Sequence, residues 1–331
     1  MGRFIQITHP GELTGFIETA QVPIISAEEL AHHAPDAHWL LTGDGGELLA
    51  RCSLWWRAVA SYRDQRLGYI GHYAASDMER GKELLRLAGA ELARNGCNLA
   101  VGPLDGSTWR RYRFVTGRGS EPPFFLEPDN PDDYPRHFEA AGFTPMARFF
   151  SSINPDLGQS VSLPEEQEKR LRDAGITLRT LDPQDFDGEL ARIFDLSVTG
   201  FRDNFLYTPI DRDEFLTMYG KVRAYTKPEL VLFAQCEDEP VGFIFALPDM
   251  LRLQRGEPLD TVILKSMAVL PQWNGKGIGA LLMARVTENA RQSGFRRAIH
   301  ALMHENNRSR DMSRHYGPEI RQYTLFCREI A

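Results

Sequence analysis

Apolar and polar positions alternate with two distinct periods along the first half of the chain. Short apolar or alternating runs predict strands over 4–8, 38–42, 48–56, 66–73, 98–102 and 148–153. Between residues 78 and 95 the leucines instead recur on one broad helical face, and Gly96 is placed to end that helix. A shorter helix is predicted over 134–143.

The same order of elements begins again after residue 175. Strands are predicted over 176–180, 230–235, 240–247, 261–269, 297–302 and 321–326, and helices over 182–194, 280–292 and 306–315. One constant shift along the chain places Gly81 on Gly279 and Gly96 on Gly294. The sequence therefore predicts a degenerate repeat, in which each half contains a parallel strand pair joined by a right-handed helical crossover.

The stretch between the two halves has the composition of a linker. It contains Pro155, Gly158 and Pro164 and then becomes rich in glutamate. We therefore predict a first domain over 1–153, a linker over 154–175 and a second domain over 176–331. The expected fold class is α/β, with a mixed, mostly antiparallel sheet flanked by helices in each domain.

Composition narrows the range of functions. The 331 residues carry a net charge of −7, which argues against a nucleic-acid partner. No apolar run approaches the ~20 residues of a membrane helix, and the first ten residues lack the apolar core of a signal peptide. We therefore expect no membrane association and a cytoplasmic location. Cys52, Cys97, Cys236 and Cys327 are far apart, so neither a disulfide framework nor a metal site is expected.

Three alternating glycines form the sharpest chemical signal. Gly275, Gly277 and Gly279 lie between the predicted strand over 261–269 and the helix that follows it. Such a loop lets backbone N–H groups close on an anion at a helix N-terminus. Its spacing differs from those of the dinucleotide and P-loop motifs. Local chemistry leaves two alternatives open, namely a phosphate-binding loop and a tight structural turn.

The stretch 269–282, Val-Leu-Pro-Gln-Trp-Asn-Gly-Lys-Gly-Ile-Gly-Ala-Leu-Leu, resembles the pyrophosphate loop of the GNAT superfamily of acyl-CoA N-acyltransferases. The resemblance is strong over 176–331 and mostly architectural over the first half, as in tandem two-domain members. In the first half, Asp77 and Glu79 occupy the corresponding stretch. Carboxylates there would repel a pyrophosphate, so we expect CoA to bind only in the second half.

The resemblance implies a set of site residues. Contacts to CoA are expected from Met267, Ala268, Val269, Asn274, Gly275, Lys276, Gly277, Ile278, Gly279 and Asn306. Asn274 replaces the Gln or Arg usual in the family. Ser313 stands where the family usually has the tyrosine that protonates the departing thiolate. Tyr316, one helical turn further on, is therefore the predicted acid.

The implied activity is transfer of an acetyl, or another short acyl, group to a primary amine by direct attack. Acetyl-CoA or another acyl-CoA would be the co-substrate, and a small molecule or peptide would carry the amine. The protein would be a monomer or a homodimer. Two alternatives remain: a non-catalytic acyl-CoA-binding or sensing protein, which Ser313 favours, and an enzyme with an aminoacyl-tRNA donor, which the acidic pI disfavours.

Three features stay open at this point. The general base is not identified, although Asp203, Tyr207 and Glu214 lie in a region that shapes the acceptor site in the family. The proline-rich loop 119–127 is either a cover over a groove in the first half or a static surface loop. Phe149 is interpreted as core or inter-domain packing rather than as part of a cavity wall.

Overall fold

The computed structural model describes residues 2–159, 163–306 and 317–331. The elements of the first half are β1 (Arg3–Ile7), α1 (Ala27–His33), β2 (Ala37–Thr42), β3 (Leu48–Trp55), β4 (Leu67–Ala75), α2 (Met78–Arg94), β5 (Leu99–Gly102), β6 (Phe114–Gly117), α3 (Tyr134–Ala140) and β7 (Thr144–Asn154).

The second half continues with α4 (Glu165–Asp173), β8 (Ile176–Thr180), α5 (Phe186–Gly200), α6 (Arg212–Gly220), β9 (Val231–Cys236), β10 (Glu239–Pro248), α7 (Met250–Gln254), β11 (Thr261–Val269), α8 (Ile278–Gln292), β12 (Arg297–His304) and β13 (Glu319–Glu329). Apart from its first residue, the helix predicted over 306–315 falls outside the described residues. No helix in the described ranges has both the length and the apolar character that a membrane span requires.

Across the described residues, thirteen strands form one sheet in the order β1-β2-β3-β4-β5-β13-β7-β12-β11-β10-β9-β8, with β6 beside β13. Two neighbouring pairs, β4–β5 and β11–β12, are parallel. The remaining pairs are antiparallel. The predicted α/β class with a mostly antiparallel sheet is confirmed, and both predicted parallel pairs are present.

The two halves exchange their last strands. Strand β7 of the first half pairs with β12, and β13 of the second half pairs with β5. At the centre of the sheet, β7 and β13 pair with each other. The sheets expected for two separate units are consequently one. The division of the chain at 154–175 rests on the repeat of elements along the sequence and stays a prediction.

The long helices α2 and α8 hold corresponding places in the two halves. Leu84 and Leu85 of α2 are fully buried in the core of the first half, and Leu282 and Val286 of α8 in that of the second. Burial of such a side chain contributes about 2 kcal/mol. Both helices end at a glycine with positive φ, as the sequence predicts, with +80° at Gly96 and +90° at Gly294.

Candidate active site

A wedge opens between the parallel strands β11 and β12. Their pairing runs from Thr261 and Arg297 only as far as Leu264 and His300, although both strands continue beyond that point. Lys265 follows immediately, as an extra residue between the pairs that β11 makes with β10. Such a bulge bends a strand away from its neighbour. The later part of β11 is therefore left unpaired on the side that faces β12.

The glycine loop lies at the far end of this exposed segment of β11. Gly275 and Gly277 have φ of +78° and +94°, a region that strongly favours glycine. Gly277 is the N-cap of α8 and supplies no side-chain cap to the helix. The first N–H groups of α8 thus remain available to a ligand. The positive end of the helix dipole lies at the same terminus. This arrangement suits an anion.

The wedge and the loop open into one cavity of about 1400 Å³, called here the wedge cavity. Its walls include the predicted site residues Met267, Ala268, Val269, Asn274, Gly275, Gly277, Ile278, Gly279 and Asn306. Residues from three separate segments of the sequence are thus brought to one surface. Their contacts with CoA stay a prediction, for which this common surface is the structural basis.

Among the described site residues, Lys276 does not line the wedge cavity. Lys276 is directed away from the wedge cavity, with Nζ 4.1 Å from the ring centroid of Trp273. It lines a smaller cavity of about 360 Å³ beside α4. Tyr316, the predicted acid, lies outside the described residues, as does Ser313.

The first half supplies part of the cavity wall. The loop 119–127 crosses to the second half, where Arg321 Nη2 donates to the carbonyl oxygen of Glu121 at 2.9 Å. The N–H of Phe125 donates to Asp249 Oδ1 at 2.8 Å. Leu126 then lines the wedge cavity. Phe149 is packed in a core cluster, as the sequence predicts, and it also lines the cavity. The loop therefore packs on the opposite half.

Glu127, also from this loop, is a buried carboxylate whose acceptor positions are taken. Its Oε1 accepts from Arg321 Nε at 2.7 Å and from the Tyr323 hydroxyl at 2.6 Å. Its Oε2 accepts from the N–H of Phe124 at 3.2 Å. Burial, together with the negative charge of Glu127, raises the pKa of Tyr323. Glu127 therefore links the loop 119–127 of the first half to Arg321 and Tyr323 of the second half.

Arg113 and Lys265 place two cations in the wall of the same cavity. Arg113 is only 8% exposed, and its Cζ lies 3.9 Å from the ring centroid of Tyr112 and 4.3 Å from that of Phe149. Lys265 Nζ donates to the carbonyl oxygen of Leu126 at 3.3 Å. Burial and the positive charge of Arg113 lower the pKa of Lys265 to about 8.

His304, at the end of β12, is a neutral donor facing the cavity. Its Nδ1 accepts from the N–H of Asn306 at 3.1 Å, so the hydrogen of the neutral ring lies on Nε2. The ring meets Phe149 edge-on and stacks on Phe205, at centroid distances of 5.0 and 5.2 Å. Burial lowers the pKa of His304. In the sequence, nothing local distinguishes this histidine from a structural one.

Of the residues considered for the general base, two line the wedge cavity: Asp203 and Tyr207. The Tyr207 hydroxyl donates to the carbonyl oxygen of Val198 at 3.3 Å. Glu214 instead forms an ion pair with Arg110 at 2.7 Å. Asp203 is thus the carboxylate of this group with access to the cavity.

The corresponding place in the first half is closed to an anion. Asp77 caps α2, with its Oδ1 accepting from the N–H of Arg80 at 2.9 Å. The Tyr73 hydroxyl and His137 Nδ1 are hydrogen-bonded at 2.9 Å against this helix. A Cβ at Gly81 would approach His137 Nδ1 to 2.8 Å. Side chains therefore fill the space that the wedge leaves open in the second half.

One group in the first half has the atoms to hold a metal ion. Ligand atoms of Glu29, His33 and His72 lie within 4.8 Å of one another. Burial lowers the pKa of His33 to about 4 and that of His72 to about 2, so both rings are neutral at pH 7. The nearby guanidinium groups of Arg51 and Arg110 oppose an added cation. Glu29 and His33 are four residues apart on α1, but His72 lies on β4, 39 residues further along the chain, so the sequence shows no complete motif.

Comparison with known proteins places this geometry in a family. Residues 190–317 match the model of the acetyltransferase (GNAT) family. A relative named bacterial ceramide synthase, from Caulobacter vibrioides, is 24% identical over 184 residues, covering 55% of this chain and 48% of that protein. Protein YghO from Escherichia coli is 21% identical over 297 residues, covering 78% of this chain and 74% of that protein. The chain thus spans about half the length of the first relative.

Solved structures agree at the level of the fold. A protein of Enterococcus faecalis described as of unknown function, "Probable N-Acyltransferase", has a TM-score of 0.55 at 11% identity, covering 99% of this chain and 72% of that chain. The match spans both halves, and the strand–helix–strand units recur in each. Residues 190–317 thus carry a domain of the acetyltransferase (GNAT) family, and the strand–helix–strand unit of that fold occurs in both halves of the chain.

Proposed function

We propose that this chain is an acyl-CoA-dependent N-acyltransferase. It transfers an acetyl, or another short acyl, group to a primary amine of a small molecule or peptide by direct attack. The observation that carries the proposal is the junction of two features in one cavity. These are the unpaired segment of β11 beyond Leu264 and the N-terminus of α8 at Gly277.

Each feature suits one part of acyl-CoA. The first N–H groups of α8 can donate to the pyrophosphate, because no side chain caps them. The backbone of Met267, Ala268 and Val269 can hydrogen-bond the amide groups of the pantetheine arm, as an added strand would. A donor held in this way has its thioester toward the inner end of the wedge, near Lys265.

The reaction sets demands on the remaining residues. The amine must first lose its proton, and its nitrogen then attacks the thioester carbon. A C–N bond forms, the nitrogen releases its second proton as the C–S bond breaks, and the thiolate leaves with the electron pair and takes up a proton. We propose Asp203, acting through water, as the base because its carboxylate reaches the cavity. Tyr316 remains the proposed acid for the thiolate.

The wedge cavity is large enough to accept acyl groups and acceptors of many sizes. Its volume of about 1400 Å³ exceeds the range common for small-ligand pockets. Aromatic side chains line part of it, namely Trp109, Phe201, Phe205, Tyr219 and Phe245. These walls support an apolar acyl chain or acceptor. The name of the Caulobacter relative, a ceramide synthase, supports testing long-chain amines as well.

Two measurements test the proposal in sequence. Thermal shift against CoA esters from acetyl to palmitoyl identifies the donor, and free-thiol release over a panel of primary amines then detects transfer. We expect stabilisation by at least one ester and amine-dependent thiol release. Stabilisation without thiol release from any amine would favour a non-catalytic acyl-CoA-binding protein. Absence of stabilisation by every ester would contradict both.

A further inference from the structure

Arg113 is a buried cation in the wedge cavity with no carboxylate partner among the described residues. Its Nη1 is enclosed and has no hydrogen-bond partner there. The rings of Tyr112 and Phe149 stabilise the charge from their faces. The ring faces cannot accept the in-plane N–H bonds of a guanidinium, and the hydrogen bond with the Tyr112 side chain is to a neutral group and leaves Nη1 without an acceptor. A buried charge without a counterion lowers the stability of the folded protein unless another interaction compensates for its desolvation.

Arg321 shows how the same protein treats a structural arginine. It is 3% exposed, and its guanidinium donates to Glu127 and to the carbonyl oxygens of Glu121 and Pro122. Glu127 is already engaged by Arg321 and the Tyr323 hydroxyl. It is therefore not free to serve Arg113 as well. The two arginines differ in that only Arg113 lines the wedge cavity.

Two further donors converge on Arg113. His304 packs against the same Phe149 ring and carries a hydrogen on Nε2, which has no partner within the described ranges. Lys265 is close enough for the charge of Arg113 to act on it. Its hydrogen bond to Leu126 leaves two of its three N–H groups for other acceptors. Arg113, Lys265 and His304 are called here the donor cluster.

The position of the donor cluster separates it from the glycine loop. Lys265 and Val269 mark the two ends of the exposed segment of β11. Four residues of extended strand span about 13 Å. The pyrophosphate belongs at the Val269 end, beside α8. The donor cluster lies at the other end, where the acyl group and the acceptor meet.

We infer that the donor cluster binds a carboxylate, and that this carboxylate belongs to the acceptor amine. A planar carboxylate fits the guanidinium of Arg113, with Lys265 and the N–H of His304 around it. The inference rests on the proposed function and narrows it, because it names amino acids as the acceptor class. The same chemistry could come from a carboxylate at the far end of the acyl group, so the experiment separates the two sources.

The first arm compares leucine with leucinamide as acceptors of acetyl groups from acetyl-CoA. We expect kcat/KM to favour leucine at least tenfold in the wild type. Leucinamide has the less basic amine, so a larger fraction of it is unprotonated at neutral pH. Amine basicity alone would therefore make leucinamide the better acceptor. In Arg113→Met the ratio should fall at least tenfold, and Arg113→Lys should retain part of it. Arg94→Met, which removes an exposed arginine that contacts Glu91 and the Ala90 carbonyl oxygen of its own helix, should keep the wild-type ratio.

The second arm exchanges the donor. The carboxylate belongs to the acyl group if the wild type prefers succinyl-CoA over butyryl-CoA and Arg113→Met removes that preference. In that case leucine and leucinamide should react equally. The assignment to the acceptor would then be wrong. The subsite itself would be overturned if Arg113→Met kept both wild-type ratios, that of leucine to leucinamide and that of succinyl-CoA to butyryl-CoA.

A third arm does not depend on turnover. Calorimetry with N-acetyl-leucine in the presence of CoA measures the carboxylate contact directly. We expect the affinity of Arg113→Met to be at least tenfold weaker than that of the wild type, at an unchanged or higher melting temperature. Equal affinities would overturn the subsite. If the wild type binds N-acetyl-leucine but acylates no amine, the proposed function is wrong and the carboxylate subsite is still supported.

Discussion

Lys265 Nζ donates a hydrogen bond to the carbonyl oxygen of Leu126 at 3.3 Å, and this contact joins the bulge of β11 to a loop of the other half. The wedge of the second half is thus bordered by residues of the first. The wedge cavity is therefore lined by residues of both halves, although the glycine loop belongs to the second.

The charge on Lys265 makes stability depend on pH. Its folded pKa of about 8 lies below the ordinary 10.5, so between these values the unfolded chain binds more protons and the stability of the wild type rises with pH. Below pH 8 the half-buried cation costs stability. We expect Lys265→Met to be more stable than the wild type by about 1–3 kcal/mol at pH 7. Urea unfolding at pH 7 and pH 9.5 measures both effects. An equal pH dependence in the two proteins would contradict the expectation.

One CoA should bind per chain. The N-terminus of α8 is free of a side-chain cap, whereas Asp77 occupies that of α2. Calorimetric titration should give a stoichiometry of one. Asp77→Ala should lower the free energy of unfolding by about 1 kcal/mol without adding a second site. Two equivalent sites in the wild type would show that the first half also binds CoA.

Gly279 is the position at which to test the anion-binding loop. A residue other than glycine at Gly277 would be strained by its φ of +94° and would approach Gln167 Nε2 to 2.6 Å. At Gly279, by contrast, a Cβ meets only Met267 Cε at 3.6 Å, an ordinary contact. Gly279→Glu should weaken CoA binding at least a hundredfold, because its carboxylate repels the pyrophosphate. Gly279→Ala should bind within a few-fold of the wild type. Equal affinities in the folded variants would identify the loop as a structural turn.

The proposed acid is tested by removing one hydroxyl. A phenol can donate a proton to a departing thiolate, and general acid help contributes about 10²–10⁴-fold. Tyr316→Phe should therefore lower turnover at least tenfold, with nearly unchanged acyl-CoA affinity and melting temperature. Full turnover in the variant would exclude Tyr316 as the acid. A lower melting temperature with normal turnover would instead indicate a packing role.

The sequence by itself determined the order of elements and the backbone conformation of the glycine loop. Hydrophobic periodicity is a local property, so both parallel pairs and the helices that precede Gly96 and Gly294 follow from it. Alternating glycines likewise indicate a loop that needs left-handed backbone angles, which Gly275 and Gly277 adopt. The repeat of elements along the chain predicted the fold class, and the resemblance to the family was carried by the stretch 269–282.

Only the tertiary structure decided how the halves are joined. Strand periodicity specifies which face of a strand is buried but leaves its partner open, so the exchange of β7 and β13 had no local signal. The same holds for Arg113, which a strand exchange and a crossing loop bring to Lys265 and His304. The stretch Trp-Arg-Arg-Tyr-Arg over 109–113 shows arginines among aromatics. Which of those arginines becomes buried without a carboxylate is a long-range outcome of packing, and no pattern along the sequence encodes it.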